Sequence, residues 1–130
     1  MIASFRLLEA LYADEEARRI WSEESTIRAW LRVEGELALA QAAEGVIADA
    51  DADAIAQACR RGIANRDALW EDARNVGYPI LGLVRAVAAE LPPGPDGRVH
   101  YGATTQDIMD TALALQVGAS ARYLAGIVTE

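Results

Sequence analysis

An all-α fold is predicted for this chain of 130 residues on three grounds. Alanine is abundant, phenylalanine occurs once and β-branched residues are scattered, so summed propensity favours helix over strand. Apolar residues recur at steps of three and four, the spacing of one buried helix face. Between those stretches stand the glycines, prolines and short polar residues that start and stop helices.

The elements can be taken in order. The opening MIASFRLLEALYADEE has no basic stretch ahead of a continuous apolar core, and Glu9, Asp14, Glu15 and Glu16 interrupt it, so it does not read as a secretory signal. Ser22 followed by Glu23 and Glu24 is a helix start: the hydroxyl accepts from orphan amides and the carboxylates sit at the positive end of the helix dipole. A long helix to about Gly45 carries Ile27, Trp30, Leu31, Leu37 and Ala38 on one stripe, with Gln41 further along. Glu34 falls inside that stripe. One reading pairs it with Arg28 or Arg32, or leaves it at the stripe's margin; the other is a carboxylate kept buried for function.

Gly45-Val46-Ile47 reads as a helix stop and a small apolar plug, with Asp49, Asp51 and Asp53 as cap candidates for a helix from Ala52 to Arg61. That helix buries Ile55, Ala58 and Cys59 and places Arg60 and Arg61 at the dipole end that favours cations. Cys59 reads as packing or, alternatively, as a nucleophile. A further helix begins near Asn65 and meets Gly77-Tyr78-Pro79, where the proline demands a break. Ile80, Leu83, Val84, Val87, Ala88 and Leu91 then form a stripe that stops at Pro92-Pro93, and PPGPDG is an exposed loop.

The last helix opens at Thr104 or Thr105, with Asp107 completing a variant of the capping box. From Ile108 to Val117 it is apolar on nearly every side, so protein must surround it. The preceding short helices can cover one or two of its faces; the rest implies helices from more chain or from other subunits. The absence of a stop signal before Glu130 reads as truncation inside an element.

A net charge of -8 argues against nucleic acid or an anionic membrane surface as partner. The uncharged run from Thr111 to Ala121 is shorter than the roughly 20 residues of a membrane span, so no crossing segment is expected. Cys59, the single cysteine, cannot form an internal disulfide, which fits a reducing, cytoplasmic setting. No metal-ligand cluster or phosphate-loop glycine pattern occurs, so no metal and no cofactor are expected.

Chemistry concentrates in His100-Tyr101-Gly102-Ala103-Thr104-Thr105-Gln106-Asp107, between the loop and a helix N-terminus. Free amides and the dipole there suit a carboxylate or phosphate, and the two threonine hydroxyls and Gln106 add donors. His100, the one histidine, could bond the same anion or act as acid or base. By spacing alone the signal is weak, since threonine caps are ordinary and a lone histidine beside a tyrosine is more often a satisfied structural group.

The run HYGATTQDIMDTALALQ, His100 to Gln116, resembles the motif H-x-G-[AL]-T-[ST]-x-D-x-x-D-T-A of the fumarase/aspartase superfamily, in the form carried by adenylosuccinate lyase and 3-carboxy-cis,cis-muconate cycloisomerase. Upstream, WLRVEGELALAQAAEGVI, Trp30 to Ile47, is similar to the same families' VE-x-x-LA-x-AQA-x-x-GVI. Adenylosuccinate lyases usually carry R-H-D-V-V-A-F in the next region, whereas Tyr78-Pro79 stands here in place of His-Asp. The cycloisomerase pattern A-G-N-P-[VIL]-[VI]-P-L-V is matched by Gly77, Pro79, Leu83 and Val84; Tyr78 and Gly82 depart from it.

The resemblance implies an N-terminal helical domain over 1–103 and the start of a central-bundle helix over 104–130. It implies a lyase or cycloisomerase acting on a polycarboxylate: a proton leaves the carbon next to a carboxylate, and a C–O or C–N bond at the next carbon is broken or made. By carry-over Thr104, Thr105 and Gln106 hold a substrate carboxylate and His100 lines the pocket as a possible catalytic group. Gly102, Asp107 and Tyr78 order the site. The families complete that site with segments from three subunits of a homotetramer, including a general-acid histidine and the loop G-S-S-x-M-P-x-K-x-N. Neither is in this sequence, so this chain is expected to have no turnover of its own. Adenylosuccinate lyase is the second enzyme reading, and a non-catalytic helical oligomerisation module is the rival from another class.

Overall fold

A computed structural model describes residues 14–129 of the chain; residues 1–13 and Glu130 lie outside the described region. Among the described residues there are six α-helices, one 3-10 turn and no strand. Helix α1 (Glu15–Ile20) is capped by Asp14, whose carboxylate accepts from the Ala17 amide at 2.8 Å. Helix α2 (Glu23–Ala43) starts as its sequence requires: the Ser22 hydroxyl accepts from the Ser25 amide at 3.1 Å.

Helix α3 (Asp49–Arg61) begins three residues ahead of the expected Ala52. The cap position is Ala48, which lacks a side-chain acceptor, and Asp49 and Asp51 lie inside the first turn. They act through the dipole rather than as caps, because carboxylates in a first turn meet the same partial positive charge. Helix α4 (Arg66–Val76) is capped by Asn65, which accepts from the Ala68 amide at 3.2 Å. Pro79 then opens helix α5 (Pro79–Ala89) at the position where its missing amide costs nothing. The expected loop at Pro92 to Gly97 is largely exposed, but its second half tightens into a 3-10 turn over Pro95–Arg98. Helix α6 (Thr105–Thr129) closes the series.

The core lies between α2, α3 and α5, where Ile27, Leu31, Ile55, Leu83 and Val87 are buried together. Small residues let α2 and α3 approach: a Cβ on Gly35 would stand 3.4 Å from the Cys59 Cβ and 3.5 Å from the Ala56 Cα. Cys59 is part of this packing, and burial pushes its thiol up to about 12, far from a reactive thiolate.

Helix α6 packs along α2 through Ile108, Ala112 and Gln116, with α1 against its later part. Gln116 donates to the Ile20 carbonyl at 2.8 Å and to the Thr26 hydroxyl at 3.1 Å, and the Trp21 indole donates to Ser120 at 3.0 Å. The opposite side is open: Leu113, Val117, Leu124 and Ile127 are each about half exposed. One face is therefore covered by the preceding helices, as the apolar pattern led one to expect. By length and composition α6 is long and apolar enough to cross a membrane, contrary to the expectation from its charge-free run. Arg122 is the single charge between Thr111 and Thr129, too few to lower the average of so apolar a helix, and a core helix of a soluble bundle meets the same measure.

Candidate functional site

Helix α2 carries Glu34 on its inward stripe, so the carboxylate is buried with the core. It does not pair with arginine: Arg28 bonds Glu24 on the outer surface at 2.6 Å, and Arg66 also bonds Glu24. The partner is His100, whose Nδ1 stands 2.7 Å from Glu34 Oε1. The Glu34 side chain is 0% exposed and the His100 side chain 19%, so this is a partly desolvated contact at the edge of the core. Glu34 Oε2 is buried and has no hydrogen-bond partner. Burial pushes the Glu34 carboxyl above its ordinary range, and the charge and hydrogen bond of His100 oppose part of that rise.

Buried Val99 pins the chain just ahead of the histidine. His100 itself adopts φ +62°, the left-handed region that residues with a Cβ seldom enter. Gly102 follows with φ +70°, which glycine adopts without penalty. Two left-handed residues in three turn the chain from the 3-10 segment into α6. Gln41 holds that turn from α2, donating to the Tyr101 carbonyl at 2.6 Å, and the Arg98 guanidinium lies 5.3 Å from the Tyr101 ring centre.

At the helix start, the Asp107 carboxylate accepts from the Thr104 amide at 2.9 Å, the backward arm of the capping box the sequence suggested. Thr104 and Gln106 are exposed and Thr105 half-buried. The Asp107 amide turns back to the Thr104 carbonyl at 3.0 Å, which leaves the amides of Thr105 and Gln106 as the orphan donors of the first turn, next to the two hydroxyls. Gln106 donates along the helix to Asp110 at 2.5 Å. Tyr78 stands 61% exposed ahead of α5 and makes no hydrogen bond with this segment. The structure thus brings His100, Gly102, Thr104, Thr105, Gln106 and Asp107 to one turn, with Tyr78 on a different element.

One concavity borders the turn and a larger one lies away from it. A groove of about 220 Å³ lies between α2 and α6 and is lined by Gln41, Tyr101, Gly102, Asp107 and Thr111 among others. His100, Thr104, Thr105 and Gln106 lie outside its lining. A larger one, about 450 Å³, opens between α2 and α3, with Arg28, Arg32, Arg60, Arg61 and Arg66 on its walls and Cys59 among its lining residues. Sequence reasoning missed this groove; the Arg28/Arg32 and Arg60-Arg61 spacings were its only signal. No group of three metal-ligating side chains occurs among the described residues.

An all-α chain of this shape, with a histidine–glycine–threonine turn leading into a long apolar helix, has the fold of the N-terminal helical domain of fumarate lyases. The chain belongs to the fumarate lyase, or fumarase/aspartase, superfamily, whose members are its relatives and structural neighbours over most of its length. A fumarate lyase from Mesorhizobium sp. BNC1 is 40% identical in a match covering 80% of this chain and 24% of that one, with a TM-score of 0.75. The 3-carboxy-cis,cis-muconate lactonizing enzyme of Pseudomonas putida is 30% identical, covering 92% of this chain and 28% of that one, with a TM-score of 0.82. Adenylosuccinate lyase of Methanocaldococcus jannaschii is 30% identical over 106 residues, 82% of this chain and 23% of that protein. The chain spans about a quarter of the length of the curated relatives it matches. No family model matches it.

Proposed function

We propose that this chain supplies the carboxylate-binding segment of a lyase or cycloisomerase that acts on a small polycarboxylate. The observation that carries the reading is the arrangement at residues 100–107: a histidine held by a buried carboxylate stands immediately ahead of an open helix N-terminus. A substrate carboxylate bonds the free amides of α6 and the hydroxyls of Thr104 and Thr105, where the helix dipole opposes its charge. Gln106 joins by turning its amide from Asp110 to the substrate. His100 lines the pocket, while Gly102, Asp107 and Tyr78 order its rim. Proton removal next to a carboxylate builds a second negative charge on that group, and preformed donors aimed at it lower the barrier most. A C–O or C–N bond at the neighbouring carbon then breaks or forms.

The base and the general acid come from other segments in this reading, and the site is completed in a cytoplasmic homotetramer with no cofactor or metal. The open face of α6 supports assembly. Carboxymuconate-type substrates are preferred over adenylosuccinate because Gly77, Pro79, Leu83 and Val84 follow the cycloisomerase pattern. Adenylosuccinate lyase is the second reading, supported by relatives of that name at a similar level of identity.

The test is turnover. The isolated 130-residue chain should neither eliminate nor cyclise a carboxylated substrate at an enzyme-like rate, and such a rate would sink the proposal. In an assembled, active form, Thr104→Val with Thr105→Val should raise KM sharply with assembly unchanged. Efficient cleavage of adenylosuccinate with none of carboxymuconate would reverse the order of substrates. The half-exposed apolar side of α6 also supports a non-catalytic oligomerisation module. One defined oligomer with activity indifferent to the threonine pair would favour that module.

A further inference from the structure

Glu34 is the one buried charged side chain among the described residues, on a helix face whose other buried members are apolar or glycine. An apolar side chain of similar volume would avoid the cost of removing a carboxylate from water. A carboxylate kept only for packing would find partners for both oxygens, yet Oε2 has none. Its one partner, His100, holds a costly left-handed backbone to reach it. The other ring nitrogen, Nε2, has no hydrogen bond among the described residues and is not among the buried unpartnered atoms, so it faces solvent. Three unfavourable features thus converge on holding one imidazole in one orientation.

We propose that Glu34 is a positioning residue that keeps the ring proton of His100 on Nδ1 and presents Nε2 as the working nitrogen toward a substrate at the start of α6. The inference deepens the proposed function and rests on reading that helix start as a carboxylate site. With Nδ1–H donating to Glu34, the neutral ring offers Nε2 as a hydrogen-bond acceptor to the substrate. In the protonated ring Nε2–H donates instead to a substrate carboxylate, with the Glu34 carboxylate beside the positive charge. Without the buried carboxylate, the ring proton could sit on either nitrogen and the ring would lose its fixed angle.

His100 is the single histidine of the sequence, so its ring nitrogens give unambiguous nitrogen-15 signals in the chain. The neutral ring should carry its proton on Nδ1; a proton on Nε2 overturns the proposal. Glu34→Leu should release that preference, while Glu34→Gln, whose carbonyl oxygen still accepts, should retain it. An unchanged tautomer in Glu34→Leu also overturns the proposal. If that variant fails to fold, the decision passes to Glu34→Gln in the assembled, active form. There kcat should fall about ten- to a hundredfold with KM nearly constant and the pH profile displaced, because the imidazolium has lost its counter-charge. Unchanged kcat and pH profile overturn the positioning role. A threonine-pair variant without effect, beside a Glu34-dependent tautomer, overturns instead the carboxylate-site reading on which the role depends.

Discussion

A Cβ placed on Gly82 would lie 2.9 Å from the Cβ of Asp72, closer than two such atoms can stand. The Leu69 side chain and carbonyl lie at 3.2 and 3.4 Å on the same side, so α5 crosses α4 with backbone against backbone at this point. Gly82, where the cycloisomerase pattern has proline, is thus the point of direct contact between α4 and α5. The neighbouring departure, Tyr78, is exposed ahead of α5.

Gly82→Ala should therefore destabilise the chain by about 1–3 kcal/mol through overpacking, despite the better helix propensity of alanine. The midpoint of urea or thermal unfolding followed by circular dichroism measures this. A neutral or stabilising effect would show that the two helices separate freely.

Removing the partner of a buried carboxylate should cost more than removing the pair. Asparagine tolerates the left-handed backbone of position 100 but is too short to replace the imidazole, so His100→Asn should cost roughly 1–3 kcal/mol. Glu34→Leu combined with His100→Asn should recover most of that loss, because no uncompensated charge is left inside. Equal destabilisation by the single and double variants would contradict the buried-charge account.

The raised Glu34 carboxyl fixes a sign for pH dependence. Between its ordinary value of 4.5 and the raised one, the folded chain holds a proton on Glu34 that the unfolded chain has released. The associated stability is full below that ordinary value and declines as pH climbs through the raised one. Glu24 works the other way, since Arg28 and then Arg66 hold its carboxyl low, and its contribution is lost on acidification. The difference in unfolding free energy between wild type and Glu34→Gln, measured across pH 4 to 8, should show the first slope alone; a flat difference would remove it.

The open side of α6 should drive association. Sedimentation of the chain should give a broad distribution that shifts with concentration, because apolar side chains of a bundle helix are left in water. Leu113→Glu with Leu124→Glu should narrow it toward the monomer. A single sharp oligomer unaffected by these changes would count against the exposed face as the cause.

The amino-acid sequence alone determined most of the local architecture. Ser22 and Asn65 start their helices, Pro79 opens α5, and Asp107 bonds back to Thr104, each within one helical turn of the group it satisfies. The apolar stripes named the core, and the run from His100 to Gln116 pointed to the superfamily because motif order survives in a linear string. Asp49 misled because a carboxylate beside an alanine cap and a carboxylate serving as the cap look alike in sequence. Tertiary structure decided the rest. Glu34 found His100, 66 positions away, rather than Arg28 or Arg32 on its own helix. Gly82 met Asp72 and Leu69, five arginines from three parts of the chain came to surround one groove, and α6 hid one face and left another open. Capping and periodicity act over three or four residues and can be read locally. Burial, by contrast, is conferred by whatever segment packs above a residue, and for Glu34 that set both the cost of its charge and its pairing with His100.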